Sequence, residues 1–290
     1  MRENRQEPGD RRSVPLDLAN DVIFVAEAHD AGEVVPAHWH DVDQLIYAAS
    51  GVATVQTDDG IWVVPPARAV WVPASTVHQI EMTGEVRLTS VYVRPGTALI
   101  DRGRCCVVHV SSLLREIILR GTSIDGPYGG GGRDSRLVAV LLDEIEASGV
   151  APLELTMPTD SRAREVALAF LVDPSQRSSR AEWASKVGAS ERTLERLFLR
   201  ETNTTLGRWQ RQARLLEALR LLAGGESVTR VAFGVGFDTP SAFIAMFRRA
   251  LGATPSRYFA SEAEDAPAPR PTDVATLGHQ GPGTPDGDHD

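Results

Sequence analysis

The chain writes one pattern twice, and that repetition constrains its fold more than any other feature. Ala184-x-x-Val187-Gly188-x-Ser190-x-x-x-Leu194-x-x-x-Phe198 returns about fifty residues later as Ala232-x-x-Val235-Gly236-x-x-Thr239-x-x-x-Phe243-x-x-x-Phe247. Each copy predicts a helix, a glycine turn and a second helix. Glycine relieves the backbone where the chain turns, Ser190 and Thr239 are residues that cap a following helix, and Pro240 stands where a first-turn proline is tolerated. Leu194 and Phe198, like Phe243 and Phe247, are four apart and share one buried face. The opposite face of each second helix stays free, and that is the face a helix-turn-helix unit lays into a DNA major groove.

Between the copies, from Leu206 to Leu222, apolar residues recur at Trp209, Ala213, Leu216, Leu219 and Leu222, while Arg208, Arg211, Arg214 and Arg220 spread positive charge around the rest of the cylinder. Such a helix is roughly 25 Å long at about 1.5 Å per residue. It is a rigid spacer of the right order to hold two recognition helices one DNA turn, roughly 34 Å, apart. Charge singles out the same region. Residues 161–260 carry sixteen Arg plus Lys against nine Asp plus Glu, a net of +7, in a 290-residue chain whose 30 basic and 39 acidic residues give −9. The remainder therefore holds −16, and only this segment suits a polyanion, because counterion release favours local positive charge.

Within the first unit Glu191, Arg192, Glu195 and Arg196 fall opposite Leu194 and Phe198. Arg192 and Arg196 are the candidate base readers, since a guanidinium bonds both O6 and N7 of guanine. Glu195 either accepts from cytosine N4 or pairs with a neighbouring arginine. The matching positions of the second unit, Pro240, Ser241 and Ala245, have far less hydrogen-bonding capacity, so base reading is expected to concentrate in the first unit. Thr239, Ser241, Arg248 and Arg249 are the candidate DNA contacts of the second, the two arginines to phosphate. The blocks ERTLERLFLRET (191–202) and GFDTPSAFIAMFRRALGATPSRYF (236–259), the latter with Gly252-x-x-Pro255, resemble the AraC/XylS family of bacterial transcription regulators. The resemblance covers roughly residues 160 to 260. It implies two units on asymmetric half-sites of double-stranded DNA, a separate sensor of a small-molecule effector, a homodimer, and often activation through RNA polymerase.

The N-terminal half has another architecture. Runs at Val22–Ala28, Leu45–Ala49, Val52–Thr57, Ile61–Val64, Ala69–Val72 and Val86–Val93, broken by Gly, Pro and Asp, predict short strands, with Asp59-Gly60 as a hairpin turn. Strands this short and evenly spaced point to a sandwich or barrel. Gly32-x5-His38-x-His40-x3-Gln44-x6-Gly51, followed by Pro73-x-Ser75-x2-His78, resembles the two motifs of cupins, with Gln44 for the usual Glu and Ser75 for the usual Gly. That resemblance implies a β-barrel with His38, His40, Gln44 and His78 gathered inside. Neutral imidazoles suit a divalent Zn, Ni, Fe or Cu ion, and Gln44 adds a neutral oxygen. Two readings stay open: a metal site, or histidines hydrogen-bonded in a barrel that takes an organic effector without metal. Trp39, Tyr47, Trp62 and Trp71 are the candidate lining of an aromatic effector cavity, or else core. An amide where a cupin enzyme keeps its carboxylate argues against catalysis. The alternative is a dioxygenase-like cupin metalloenzyme with an appended DNA-binding domain.

The expectation is an α+β multidomain protein. Residues 1–13 are disordered, 14–110 form a cupin-like sensor barrel, 111–157 a helical dimerisation or linker region, 158–260 an all-α domain with two helix-turn-helix units, and 261–290 a disordered acidic tail. The middle region holds helices Ser111–Arg120 and Asp134–Ser148, separated by the Gly129–Gly132 run, which either dimerise or pack on their own barrel. Pro152 and Pro158 mark a linker, and a helix from Asp160 to Val172 opens the last domain before Pro174 stops it. A polar start and the lack of any 18-residue apolar run predict a cytoplasmic protein. The adjacent Cys105 and Cys106 are unsuited to an ordinary disulfide with each other.

Overall fold

Alternating residues between Val22 and Val93 build one strongly bent sheet, and helices cover its outer face. The computed structural model describes residues 10–12, 20–97, 103–128, 131–151 and 153–263. Its strands are β1 (Asp10–Arg11), β2 (Val22–His29), β3 (Val34–Trp39), β4 (Asp43–Gln56), β5 (Gly60–Val64), β6 (Arg68–Val72), β7 (His78–Val93), β8 (Cys106–His109), β9 (Val150–Ala151) and β10 (Glu154–Thr156). The main path runs β1-β3-β7-β4-β6-β8-β9, with β2 on β7 and β5 between β4 and β10. Among the described residues no ladder joins its two ends, so the expected barrel is a bent, open sheet.

Several strands differ from the pattern of runs. Leu45–Ala49 and Val52–Thr57 are one strand, β4, bent where its register against β7 slips near Ser50. Gly51 makes the bend possible: its φ is +71°, and a Cβ there would sit 2.6 Å from the Glu85 carbonyl oxygen. β3 and β8 carry no clear alternation in sequence and form because neighbouring strands offer them unpaired backbone. The same force overturns the expected linker, since β9 and β10 join the sheet by pairing with β8 and β5. Asp10–Arg11 likewise pair with β3, in a stretch expected to be disordered. The tail expected to be disordered from 261 begins later, since a helix runs over Pro255–Ala263; the remaining expected disorder, at 1–9, 13 and 264–290, and Pro152 itself, lie outside the described residues.

Helices α1 (Ser112–Gly121) and α2 (Arg133–Ala147) fall where expected. Ser111 caps α1 by accepting from Leu114 N, whereas α2 starts after Gly132 without a side-chain cap. Their stripes, Leu114, Ile117, Ile118 and Val138, Leu141, Ile145, close over Leu45, Tyr47, Trp71, Val91 and Val93 on one half of the sheet's outer face. Each such buried aliphatic side chain contributes about 1.5–3 kcal/mol. The two helices thus pack on their own sheet.

The remaining helices are α3 (Ser161–Val172), α4 (Arg180–Lys186), α5 (Glu191–Thr202), α6 (Leu206–Ala223), α7 (Val228–Gly234), α8 (Pro240–Leu251) and α9 (Pro255–Ala263). Asp160, Ser179, Ser190, Thr205, Ser227 and Thr239 cap α3 to α8 in turn, with a full capping box at Ser179 and Glu182. α6 rests on the other half of the sheet, against β4, β5, β7 and β10. There Arg220 reaches Glu81 of β7 at 2.9 Å and Glu217 at 2.8 Å, and Trp209 Nε1 donates to the Thr156 carbonyl at 2.8 Å. One apolar core, from Ile46 and Met82 to Phe198 and Phe247, runs through both halves of the molecule.

Candidate functional site

The two glycine turns stand as expected, with φ +63° at Gly188 and +83° at Gly236. α5 buries Leu194, Leu197 and Phe198 and exposes Glu191, Arg192 and Arg196. Among the described residues Arg192 and Arg196 make no ion pair, so two solvated guanidinium groups lie one helical turn apart on the outward face. Glu195 is half-buried and pairs with Arg180 at 3.3 Å rather than with either neighbour on its own helix. In α8, Phe243 and Phe247 are buried, while Ser241, Arg248 and Arg249 are exposed and line a shallow concavity with Ile244 and Ala245. The Thr239 hydroxyl accepts from Ala242 N at 3.2 Å, so its first duty is to cap α8.

Two arginines counted as free charge on α6 are structural. Arg214 donates to the carbonyls of Pro174 and Gln176, each at 3.0 Å, with its guanidinium 5.3 Å from the Phe170 ring centre. Arg220 is the ion-paired link to the sheet. Helical periodicity places both beside the apolar stripe, where long side chains bury their stems and find partners on whatever packs there. Arg180, which holds Glu195, is a residue that spacing alone did not mark.

On the sensor side, His38, His40 and His78 come together as expected, each 4% exposed or less. Ring centres lie 4.3 Å apart for His38 and His78, 5.2 Å for His40 and His78, and 6.1 Å for His38 and His40. Each Nδ1 faces a backbone carbonyl: Pro36 at 2.8 Å, Val42 at 2.7 Å and Thr76 at 2.9 Å. Carbonyls only accept, so Nδ1 carries the proton and the lone pair falls on Nε2. Burial lowers the pKa of His38 to about 4 and that of His78 to about 3, which keeps both rings neutral near pH 7.

One ligand atom from each ring lies within 4.8 Å of the others. His78 Nε2 is buried without a hydrogen-bond partner among the described residues. His40 Nε2 stands 2.9 Å from Gln44 Oε1, and Gln44 Nε2 donates to Ser90 Oγ at 2.8 Å. With Nδ1 already donating, Nε2 and Oε1 meet as two lone pairs, as two ligands of one cation do. A turned-over amide gives an ordinary hydrogen bond instead. These donors fit a divalent ion: three neutral nitrogens, an amide oxygen, and carbonyls that orient the rings from behind.

The four candidate aromatics divide between the two faces of the sheet, and for Tyr47 and Trp71 the core alternative holds. On β4 and β7 the inner face carries Gln44 and Ile46, Ser90 and Tyr92, and Tyr92 lies edge-on to His40 at 5.3 Å. Tyr47 and Trp71 face outward and pack under α1 and α2. Trp39 alternates with the histidines to the other side, where Arg11 lies 5.6 Å from its ring centre. Of the four, Trp62 alone shares the histidine face, through the Trp62–Val55–Ile80 register, and its buried Nε1 has no partner among the described residues. Ser90 and Tyr92 were missed, although counting by twos from His78 along β7 reaches both.

Residues 183–261 match the family model of a helix-turn-helix domain, and residues 22–117 that of an AraC-like ligand binding domain. The chain is 32% identical over 239 residues to the HTH-type transcriptional regulator NimR of Escherichia coli, covering 82% of this chain and 87% of that protein. It is 38% identical over 102 residues to the HTH-type transcriptional regulator RipA of Corynebacterium glutamicum, covering 35% and 31%. Identity to the HTH-type transcriptional activator RhaS of Escherichia fergusonii is 24% over 275 residues, covering 84% and 94%. Paired reading heads on a basic segment, a separate ligand-binding sheet, and similarity along most of a regulator's length agree: the chain belongs to the AraC family of transcription regulators.

Proposed function

We propose that this protein reads a two-part operator chiefly through Arg192 and Arg196, and that an effector held on the inner face of its sheet sets how well it does so. The observation that carries the reading is the pair of exposed guanidiniums on α5, without an ion pair among the described residues, on a helix whose other face is sealed by Leu194, Leu197 and Phe198. Arg248 and Arg249 supply phosphate contacts from α8, and Ser241 and Thr239 lie beside them. A DNA-reading role places the working protein in the cytoplasm, and among the described residues no helix is long and apolar enough to cross a membrane. RNA polymerase is a further partner where the outcome is activation, and a homodimer supplies the second pair of heads. The test is binding-site selection with the full chain, followed by titration at several salt concentrations. Wild type shows a steep salt slope. Arg192→Ala or Arg196→Ala costs about 1–3 kcal/mol and relaxes preference at a defined base. Equal base preference in both half-sites, or an Arg192→Ala, Arg196→Ala variant with unaltered preference, rejects the assignment.

For the effector, the orphaned His78 Nε2 and the facing His40 and Gln44 lone pairs support a divalent metal held by His38, His40, His78 and Gln44. Bound there, the ion supplies a positive anchor for an acceptor group of an organic effector beside Trp62. Protein loaded with Zn(II) or Ni(II) and then desalted is expected to retain about one ion per chain, and the His38→Ala, His78→Ala variant none. Wild type that retains no metal assigns the sheet to an organic effector alone. β7 offers the route outward: His78 opens it on the inner face, and Glu81, three residues on, holds Arg220 of α6.

A further inference from the structure

The two reading heads are joined by more than α6. Residues 173–178, between α3 and α4, form a tight turn in which Asp173 Oδ1 accepts from Ser175 N at 3.0 Å and Ser175 Oγ at 2.6 Å. Arg214 of α6 holds this turn by the Pro174 and Gln176 carbonyls. From the other side the turn of the second unit closes on it. A Cβ at Gly236 would lie 3.0 Å from both Cα and the carbonyl oxygen of Ser175, tight enough to push the Ser175 backbone back, and its φ of +83° adds strain for any other residue. Arg177 Nη2 and Asp238 Oδ1 add an ion pair at 2.6 Å. Gly188, the equivalent of Gly236 in the first unit, shares its positive φ, but a Cβ there would meet nothing within 4 Å among the described residues. One turn glycine is therefore needed for backbone geometry alone, the other for geometry and contact.

A rod fixes the distance between two heads but resists twisting less well, and one base pair of DNA displaces a half-site by about 3.4 Å and turns it by about 35°. We propose that the 173–178 turn, Arg214, Gly236 and Asp238 form a brace that locks the angle between the heads and so sets the half-site spacing this protein accepts. These are positioning residues, whereas Arg192 and Arg196 read bases.

The test uses the full chain and an operator obtained by in vitro selection, remade with one, two and three base pairs inserted between its half-sites. Wild type is expected to lose about a hundredfold in affinity on the misspaced operators, because the second head no longer adds to the first. Arg214→Ala and Gly236→Ala are expected to lose less than about tenfold on the same operators, keeping the base preference of each half-site. Asp238→Asn, which removes only the ion pair, is the mild variant should those two fail to fold, and it too is expected to relax the penalty. Gly188→Ala imposes the same φ strain in open space and should keep the wild-type penalty. Folded variants that retain the wild-type penalty, or that lose affinity equally at every spacing, overturn the proposal, and so does a Gly188→Ala variant that relaxes spacing as Gly236→Ala does.

Discussion

Among the arginines of the basic segment, partners separate two roles that charge counting merges. Arg192 and Arg196 are exposed, with no ion pair among the described residues, whereas Arg214 and Arg220 end on carbonyl and carboxylate oxygens. Arg214→Ala therefore exposes a groove over Phe170 and strands two carbonyls, while Arg192→Ala leaves the fold untouched. Thermal unfolding is expected to show a clear loss for the first and a change within about 0.5 kcal/mol for the second. Gly51→Ala meets both a positive φ and a carbonyl 2.6 Å from its new methyl, so its cost is expected to exceed about 2 kcal/mol by urea titration. Cys105 is buried, and its desolvation pushes the thiol pKa up to about 12. It should resist iodoacetamide at pH 8 in the folded protein and react only after denaturation, since the thiolate is the reactive form. His38 and His40 were legible as a pair because they lie two apart on one strand, whereas His78, on a distant strand, was joined to them only through the resemblance to the cupin motifs. Trp62, Ser90 and Tyr92 were harder to assign, because which face of a strand turns inward depends on the strands beside it.

At the scale of elements, α4, α5, α7 and α8 were legible to within a residue or two, since caps, glycines and four-residue apolar spacing are local signals. The strands were less so. β7 runs back to His78 through polar residues, and β9 and β10 exist only because β8 and β5 present free edges. Ser190→Ala tests the local part: losing the cap bond to Thr193 N should cost about 1 kcal/mol in stability. The contact between β7 and α6 belongs to the same scale. Glu81→Gln leaves the inner face intact but removes the ionic hold on Arg220, a half-exposed pair worth less than about 1 kcal/mol by itself. Its expected effect is on coupling. The factor by which saturating Zn(II) changes operator affinity should shrink toward one, with metal retention unchanged; an unaltered factor removes β7 as the route.

At the scale of the whole molecule, sensor and reader share a continuous core and are pinned by Trp209 to Thr156 and Arg220 to Glu81. Circular dichroism and tryptophan fluorescence are accordingly expected to report one coincident thermal transition; two separated transitions would mean that the halves unfold independently. On the proposed function, a shift in the sheet would reach both heads as a rigid-body displacement of α6, and DNA would in turn alter effector affinity by the same factor. The sequence by itself determined the reading heads, their caps and turns, the basic segment and the pairing of His38 with His40, because each rests on contacts within a few residues or on charge, which adds without regard to fold. Only the tertiary structure decided which arginines stay free, which aromatics face the histidines, that the supposed linker completes the sheet, and that Gly236 touches Ser175. Those outcomes depend on what packs against each residue from elsewhere in the chain, and no local pattern encodes the partner.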